Sequence, residues 1–559
     1  MFRRPGLWSN LTVQIAIAGA LAGTAAGQPK FEYKGVTACT DCHHQPNPRR
    51  SQDLVLLTES HVWESEDKHS NAYQLLFSAR GKQLVSKLDI ADVSQAQQCL
   101  SCHSGWQRGH DRPRTYAEGV TCESCHGPAS GWQEPHHDRF LEWRTLDPET
   151  KLKEYGMIDV RNPLVRAQQC FSCHIGNAAE GKVVTHRMYA AGHPPLPSIE
   201  LATFSLQMPP HWRELSEKGN FRNKDAFVAA NYGGVSPAAA TSDYTRTKAV
   251  MLGGVIALRE SITLFASQYQ EVPVEATQSD DPHVTAWPQR GEFALFDCAA
   301  CHHELRSPSW RLQRGYAGLA PGRPRMPAWP AALVKVSLRH LAGDDDQAYQ
   351  RWQSGFDDSY KQLQAAVARQ PFGDPEATQQ AAMKLRDLLT KIAQATAASP
   401  CNADSATQAL DTLSRLPANA YLDYRSARQI AWAIATIQTE LTAGYPDRSL
   451  FPAAPQDGES NADRQAREAK DVAVFKSWRA EHWQLAAQQT EAMMADVDLM
   501  DSLQLRLPAG RDAIPAESDE PFVSKIDRAL PQILDAAANY DPIRFRSQLT
   551  KLRARLGFE

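Results

Sequence analysis

The second half of the chain repeats apolar side chains at intervals of three, four or seven residues, the spacing of one face of an α-helix. Three such series are present: Ile430, Ile434, Ile437 and Leu441; Phe475, Trp478, Leu485, Ala492 and Leu499; and Phe545, Leu549, Leu552 and Leu556. Asp423 is a candidate cap for the first series, and Asp541-Pro542 places a cap and a helix-starting proline before the last. The pattern predicts a C-terminal bundle of about four to six helices over residues 331–559.

The first half lacks this regular spacing and is rich in Pro and Gly, which predicts irregular loops over residues 28–330. One apolar segment, residues 249–265, predicts a buried helix, although Gly253-Gly254 weakens that prediction. A proline cluster over residues 321–330 indicates either a domain boundary or a strap over the N-terminal region. The fold class expected is therefore mainly α, in two parts.

The N-terminus has the layout of a secretory signal peptide. Arg3 and Arg4 precede a mildly apolar run over residues 11–26, which ends in small residues. The alternative is a membrane anchor, but the run contains Gln14 and is shorter than the roughly 20 apolar residues of a membrane span. We expect residues 1–27 to be removed during export by the general secretory route, leaving a periplasmic or otherwise exported protein. No later segment is expected to approach spanning length, which predicts no stable membrane insertion.

Composition and charge narrow the class of protein. The 559 residues are 42% hydrophobic, which excludes disorder of the whole chain. Lys and Arg total 60 against 64 Asp and Glu, so there is no basic excess and no nucleic-acid partner is expected. Eleven cysteines and 18 histidines carry the chemical information, because ten of the cysteines fall into one repeated pattern.

That pattern is Cys-x-x-Cys-His, and we number its copies from the N-terminus. Motif 1 is Cys39, Cys42 and His43; motif 2 is Cys99, Cys102 and His103; motif 3 is Cys122, Cys125 and His126; motif 4 is Cys170, Cys173 and His174; motif 5 is Cys298, Cys301 and His302. From the frequencies of Cys and His, roughly 0.01 copies of this haem-attachment pattern are expected by chance. Cys401 is the remaining cysteine, and we expect it to be buried and unpaired.

The spacing suits covalent attachment of haem c. Two cysteines three residues apart can bond the two vinyl groups of one porphyrin, and the next residue then lies under the iron as its proximal ligand. A zinc site would pair such motifs two by two and has no need of His after every second Cys. A thioredoxin-like motif would occur once, and disulfides do not explain the five histidines. The sequence predicts five covalent haems.

Each iron has a sixth coordination position, and thirteen histidines outside the motifs are candidates to fill it. They are His44, His61, His69, His110, His136, His137, His186, His193, His211, His283, His303, His340 and His482. His44 and His303 directly follow a proximal His and are not expected to reach the same iron. His340 and His482 lie in predicted helices, where a surface or packing role is expected. Met ligands are not excluded by the residue count.

The local contexts of these histidines resemble the cytochrome c-554-like multihaem family over roughly residues 35–330. The resemblance lies in WESEDKHSNAYQLL over residues 63–76, in GVTCESCHGPA from residue 119 with Trp132 and His136, in HRMYAAGHPPL from residue 186, and in CAACHHELR from residue 298 with Ser309-Trp310-Arg311. By that resemblance His69, His136, His186 and His193 are expected to be distal ligands. His211 is the candidate for the fifth iron, with His61, His110 or an open position as alternatives.

Three functions are compatible with five haem-attachment motifs. The first is electron transfer between redox partner proteins through closely packed haems, in which no residue acts as an acid or base. The second is an oxidoreductase that acts on a small nitrogen or sulfur compound at one iron with an open position. The third is a sensor or structural subunit. For the C-terminal bundle, a cover over the haems is expected, with a docking module for a redox partner as the alternative.

Overall fold

The computed structural model describes most of the chain in separate stretches. They are residues 31–47, 55–105, 117–137, 142–212, 215, 223–232, 244–269, 292–303, 307, 309, 323–369, 372–443, 488–491, 493 and 539–558. Several predictions fall outside these residues: the signal peptide, the five apolar residues named for the helix over residues 475–499, and His110, His283 and His482.

The regular elements of the described residues are helices, in agreement with the mainly α class. Among the described residues, ten α-helices lie before residue 240: α1 Thr37–His43, α2 Glu59–Glu66, α3 Ala79–Lys87, α4 Gln97–His103, α5 Cys122–His126, α6 Pro148–Tyr155, α7 Pro163–His174, α8 His186–Ala191, α9 Leu201–Gln207 and α10 Lys224–Asn231. Short 3-10 turns lie between them, among them Lys68–Asn71 and Pro135–His137, and two more, Phe293–Leu295 and Cys298–Ala300, lie near motif 5. The N-terminal region is therefore built from short pieces, as its Pro and Gly content predicts.

Longer helices follow. They are α11 Thr245–Ser267, α12 Val334–Ala342, α13 Asp346–Ala368, α14 Pro375–Ala398, α15 Ala403–Ser414, α16 Tyr424–Ala443 and α17 Pro542–Arg555. The predicted caps are present: Asp423 accepts a hydrogen bond from the Ser426 amide at 3.0 Å, and Asp541 accepts one from the Ile543 amide at 2.8 Å. Each cap satisfies an amide that has no partner inside its helix.

Helix α11 is the predicted apolar segment, and it lies in the centre of the protein. Fifteen of its residues are buried, and it packs against α7, α14 and α16. By length and composition it is the one described helix that could cross a membrane, which corrects our expectation that no such segment follows the N-terminus. The protein itself buries 78% of the most apolar window of this helix. Contact with neighbouring helices accounts for its apolar composition.

The glycine pair in α11 marks two close contacts between helices. A Cβ atom on Gly253 would lie 2.5 Å from Cβ of Leu201, and one on Gly254 would lie 2.6 Å from Cβ of Leu333. The helix is continuous through both glycines. The glycines that weaken the helix prediction therefore allow α9 and the segment before α12 to approach α11.

One hydrophobic core extends across residue 330. It includes Phe171 of α7, Ile256 of α11, Leu389 of α14 and Ile434 of α16. Just before residue 330, Arg325 is bonded to the residue that precedes motif 5. The Arg325 side chain donates to Asp297 at 2.9 Å, and the Asp297 amide donates to the Arg325 carbonyl at 2.8 Å. The proline-rich segment from residue 323 thus lies against motif 5, and the two predicted parts share buried side chains.

Candidate haem-binding centres

The motif histidines stand at the ends of helices. Helices α1, α4, α5 and α7 each end at the histidine of motifs 1, 2, 3 and 4. Motif 5 forms a 3-10 turn that is capped by Asp297. One helical turn separates the two cysteines of a motif, so both sulfur atoms and the following imidazole are presented together.

Four motif histidines face a second histidine across a gap of one common size. The ring centroids of His43 and His136 are 6.2 Å apart, those of His103 and His193 6.4 Å, those of His174 and His69 6.4 Å, and those of His302 and His186 6.2 Å. With a metal–nitrogen distance of about 2.0–2.1 Å on each side, two imidazoles on one metal ion have centroids about 6 Å apart. The four gaps therefore fit a metal ion between the rings.

Burial keeps several of these imidazoles neutral, the form that binds a metal ion. Burial, with a smaller contribution from the charge of His69, lowers the pKa of His174 to about 4. Burial likewise lowers the pKa of His193 to about 4, with His103 contributing. The pKa of His103 is also lowered by burial. These side chains are poised to act as ligands rather than as cations.

Motif 3 has a different environment. Within the described part of the chain, the structure places no second histidine ring at the 6 Å separation from His126. Burial lowers the pKa of His126 to about 4, and the charge of His211 is the next largest cause. The charge of His211 also lowers the pKa of Asp67. His211 is therefore near motif 3, with its ring beside Trp212 at 5.0 Å.

Three other histidines stand apart from the motif pairs. His44 contacts His61 at a centroid distance of 5.3 Å. His137 lies beside His136 at 5.4 Å and is 56% exposed. The ring that faces His43 belongs to His136 and not to the adjacent candidate His137.

Contacts between cysteines connect the motifs to one another. Cys39 and Cys122 are close enough for each to shift the pKa of the other, and so are Cys102 and Cys173. Cys125 lies near Cys170 and Cys173, whose charges raise its pKa. These contacts join motif 1 to 3, motif 3 to 4, and motif 4 to 2.

Helix α8 connects motif 2 to motif 5. It begins at His186, which faces His302, and ends two residues before His193, which faces His103. Tyr189 lies between them, with its ring 6.1 Å from His193. Burial raises the pKa of Tyr189 to about 12, and Cys298 of motif 5 contributes. The five motifs thus form one connected series.

Comparison with known proteins finds similarity over part of this region. A family model described as cytochrome c554 and c-prime matches residues 38–127, which contain motifs 1 to 3. The matched residues are similar to that family. A relative named cytochrome c-554, from Nitrosomonas europaea, is 25% identical over 168 residues, which are 28% of this chain and 66% of the relative. The chain thus spans just under two thirds of that relative, and no solved structure matches.

The name cytochrome c, which the family model and the relative share, denotes covalently bound haem c. The residues present fit that group. Porphyrin supplies four ligands to iron, so one or two protein ligands suffice. Phe293 is 52% exposed beside His186, an apolar surface of the kind that a porphyrin face covers.

The structure adds side chains that the motif spacing does not reveal. The Nδ1 atoms of five candidate ligands are bonded to acceptors: His43 to Glu59 at 2.8 Å, His69 to Asp67 at 2.9 Å, His103 to the Ala72 carbonyl at 2.7 Å, His193 to the Pro194 carbonyl at 2.7 Å, and His136 to the Gln133 carbonyl. Each such bond fixes the ring and directs Nε2 toward the gap. Asp67 could be predicted from the sequence as a partner of His69, because it lies two residues before it. Glu59 is sixteen residues from His43, so no local pattern links them.

Proposed function

We propose that this chain is an exported, periplasmic cytochrome that carries electrons between redox partner proteins through five covalently bound haems. The four histidine pairs with centroid distances of 6.2–6.4 Å are the observation that supports it most strongly. When bound, haem supplies reversible one-electron chemistry at its iron. The chain would contribute ten thioether-forming cysteines, the axial imidazoles and a buried setting.

The proposed ligand sets follow from the pairs. His43 and His136 would hold the iron of motif 1, His103 and His193 that of motif 2, His174 and His69 that of motif 4, and His302 and His186 that of motif 5. For motif 3 we assign His211 opposite His126, because the charge of His211 lowers the pKa of His126. This last pair requires the ring of His211 to move toward His126 when the iron is bound.

The contacts between motifs suggest the order of electron transfer. Cysteine contacts join motifs 1, 3, 4 and 2, and α8 joins motif 2 to motif 5. The proposed path is therefore 1–3–4–2–5, with motifs 1 and 5 at its ends. In this path electrons would enter or leave near α1 or near the turn at Cys298.

The C-terminal bundle would serve as a cover in this proposal. Helices α14 and α16 share a core with α7 and α11, so their apolar faces are occupied by the protein itself. A docking module would need an apolar or charged face that is turned away from this core. The signal peptide over residues 1–27 and the absence of membrane insertion remain part of the proposal.

One observation favours a second function, an oxidoreductase acting on a small nitrogen or sulfur compound. Among the described residues His126 has no histidine ring at coordinating distance, so the iron of motif 3 could have an open position. Asp159 and Arg161 act on the pKa of His126 and are polar groups close to it. An open iron beside such groups is what substrate chemistry would need.

Electron paramagnetic resonance of the oxidised holoprotein separates the two functions. Two imidazoles on every iron predict low-spin signals alone, which do not change when nitrite or hydroxylamine is added. A high-spin signal that shifts on adding either compound would contradict pure electron transfer and support the oxidoreductase.

A further inference from the structure

We propose that Glu59 and Asp67 set the reduction potentials of two haems, keeping the irons of motifs 1 and 4 harder to reduce than the iron of motif 2. The inference rests on the proposed function, in which these irons have two histidine ligands. It concerns the chain's own carboxylates, each bonded to one ligand imidazole on the side away from the iron.

Glu59 belongs to the first turn of α2 and reaches motif 1. Its Oε2 atom is 2.8 Å from Nδ1 of His43, and its Oε1 atom accepts from the Leu56 amide at 2.8 Å. The carboxylate is 20% exposed, so bulk water screens its charge only partly. Both oxygen atoms are thus held, and one of them is directed at the proximal ligand.

Asp67 has the same relation to motif 4. Its Oδ1 atom is 2.9 Å from Nδ1 of His69 and 3.0 Å from the His69 amide. The side chain is 8% exposed, so its charge is well shielded from water. His69 faces His174 across the gap of motif 4. A buried carboxylate therefore acts on a distal ligand here, whereas the carboxylate in motif 1 acts on a proximal ligand.

Motif 2 provides the contrast within the same protein. Both of its imidazoles donate to neutral backbone carbonyls, His103 to Ala72 and His193 to Pro194, each at 2.7 Å. In all three motifs a hydrogen bond at Nδ1 holds the orientation of the ring. What differs is the charge of the acceptor.

The charge of the acceptor changes the ligand. A carboxylate draws the Nδ1 proton toward itself and makes the imidazole a stronger donor to iron. Ferric iron gains more from that donation than ferrous iron, because it carries one more positive charge. The buried negative charge acts in the same direction. Both effects favour the oxidised state, so the irons of motifs 1 and 4 are expected to be reduced after the iron of motif 2.

The test compares isosteric amides with a matched surface variant. Glu59→Gln and Asp67→Asn remove the charge and keep an oxygen that can accept the same hydrogen bond. Glu66→Gln removes one charge from the same helix as Glu59 at an exposed position. Each holoprotein is titrated electrochemically while its haem absorption bands are followed, and its oxidised state is examined by electron paramagnetic resonance.

We expect each amide variant to move one reduction step to higher potential, by a tenfold change in its equilibrium constant, which is about 59 mV for one electron. One low-spin resonance should shift with it, and the double variant should move two steps. Titrations of Glu59→Gln and Asp67→Asn that coincide with that of Glu66→Gln would overturn the inference. So would a high-spin signal in either amide variant, which would show that the carboxylate only holds the ligand in place. Failure of the proposed function is separate, since it would appear in the unmodified protein as missing low-spin haem.

Discussion

The imidazole of His69 combines three properties of an iron ligand. It faces His174 at 6.4 Å, its Nδ1 atom is bonded to Asp67, and it is carried by a capped 3-10 turn. His61, eight residues earlier, contacts His44, which follows a motif histidine, rather than a motif histidine itself. Substitution of His69 can therefore be compared with substitution of His61 as a control.

Replacing His69 by Ala should leave one iron with a single protein ligand. We expect the oxidised holoprotein to gain one high-spin haem, visible by electron paramagnetic resonance and by a weaker low-spin signal. His61→Ala is the control and should leave the spectrum unchanged. A His69→Ala spectrum identical to that of the unmodified protein would remove His69 from the proposed ligands.

Lys151 predicts a pH dependence away from the haems. Burial lowers its pKa to about 8, while Asn231 accepts its hydrogen bond at 2.8 Å. Below pH 8 the folded state must keep this buried charge, and above the ordinary lysine pKa neither state carries it. The contribution of Lys151 to stability should therefore rise as pH increases from about 8 to about 10.

Urea unfolding of the holoprotein at pH 8 and pH 10 tests this contribution. The change in unfolding midpoint from pH 8 to pH 10 should be less positive in Lys151→Met than in the unmodified protein. Lys153→Met, in the same helix and 64% exposed, is the control. Equal changes in both variants would contradict the assignment.

The motif residues themselves are predictable from sequence, because haem attachment fixes the order Cys-x-x-Cys-His along the chain. Local resemblance predicts His69, His136, His186 and His193 as distal ligands, and each ring lies 6.2–6.4 Å from that of a motif histidine. Which motif each one faces does not follow from spacing: His69 faces motif 4 although it lies between motifs 1 and 2. Such pairing depends on how the loops fold back, and no local pattern encodes it.

Helices are predictable where their caps and apolar faces are local. Asp423 and Asp541 are recognisable as caps from the sequence alone, and both accept amide hydrogen bonds. The role of Gly253 and Gly254 is not predictable, because it depends on side chains that are distant in sequence, Leu201 and Leu333. The core shared across residue 330 depends in the same way on contacts between distant helices.

Two glycine substitutions in helices should have opposite effects. Gly355 lies in α13 with open space where a Cβ atom would be, so Gly355→Ala should raise stability by up to about 1 kcal/mol through helix propensity. Gly253→Ala would press against Leu201 and should lower stability by about 1–3 kcal/mol. Urea unfolding measures both. Stabilisation by Gly253→Ala would contradict the close approach of α9 to α11.

The pKa values of the buried cysteines indicate when haem is attached during maturation. Burial raises the pKa of Cys99 and Cys170 to about 11 and that of Cys125 to about 12. A thiol must ionise to react as a nucleophile, and these thiols are protonated at neutral pH once the chain is folded. At these three cysteines, attachment of haem is therefore expected before folding is complete. The finished protein would contain neutral thioethers where the structure has buried sulfur atoms.

The number of haems per chain tests the central claim most directly. The purified holoprotein is assayed by its pyridine haemochrome spectrum against protein concentration, and its intact mass is measured after denaturation. We predict five haems per chain, all retained in the intact mass because each is covalently attached. Four or fewer attached haems in the fully matured protein, or haem lost on denaturation, would contradict the proposal of five covalent haems.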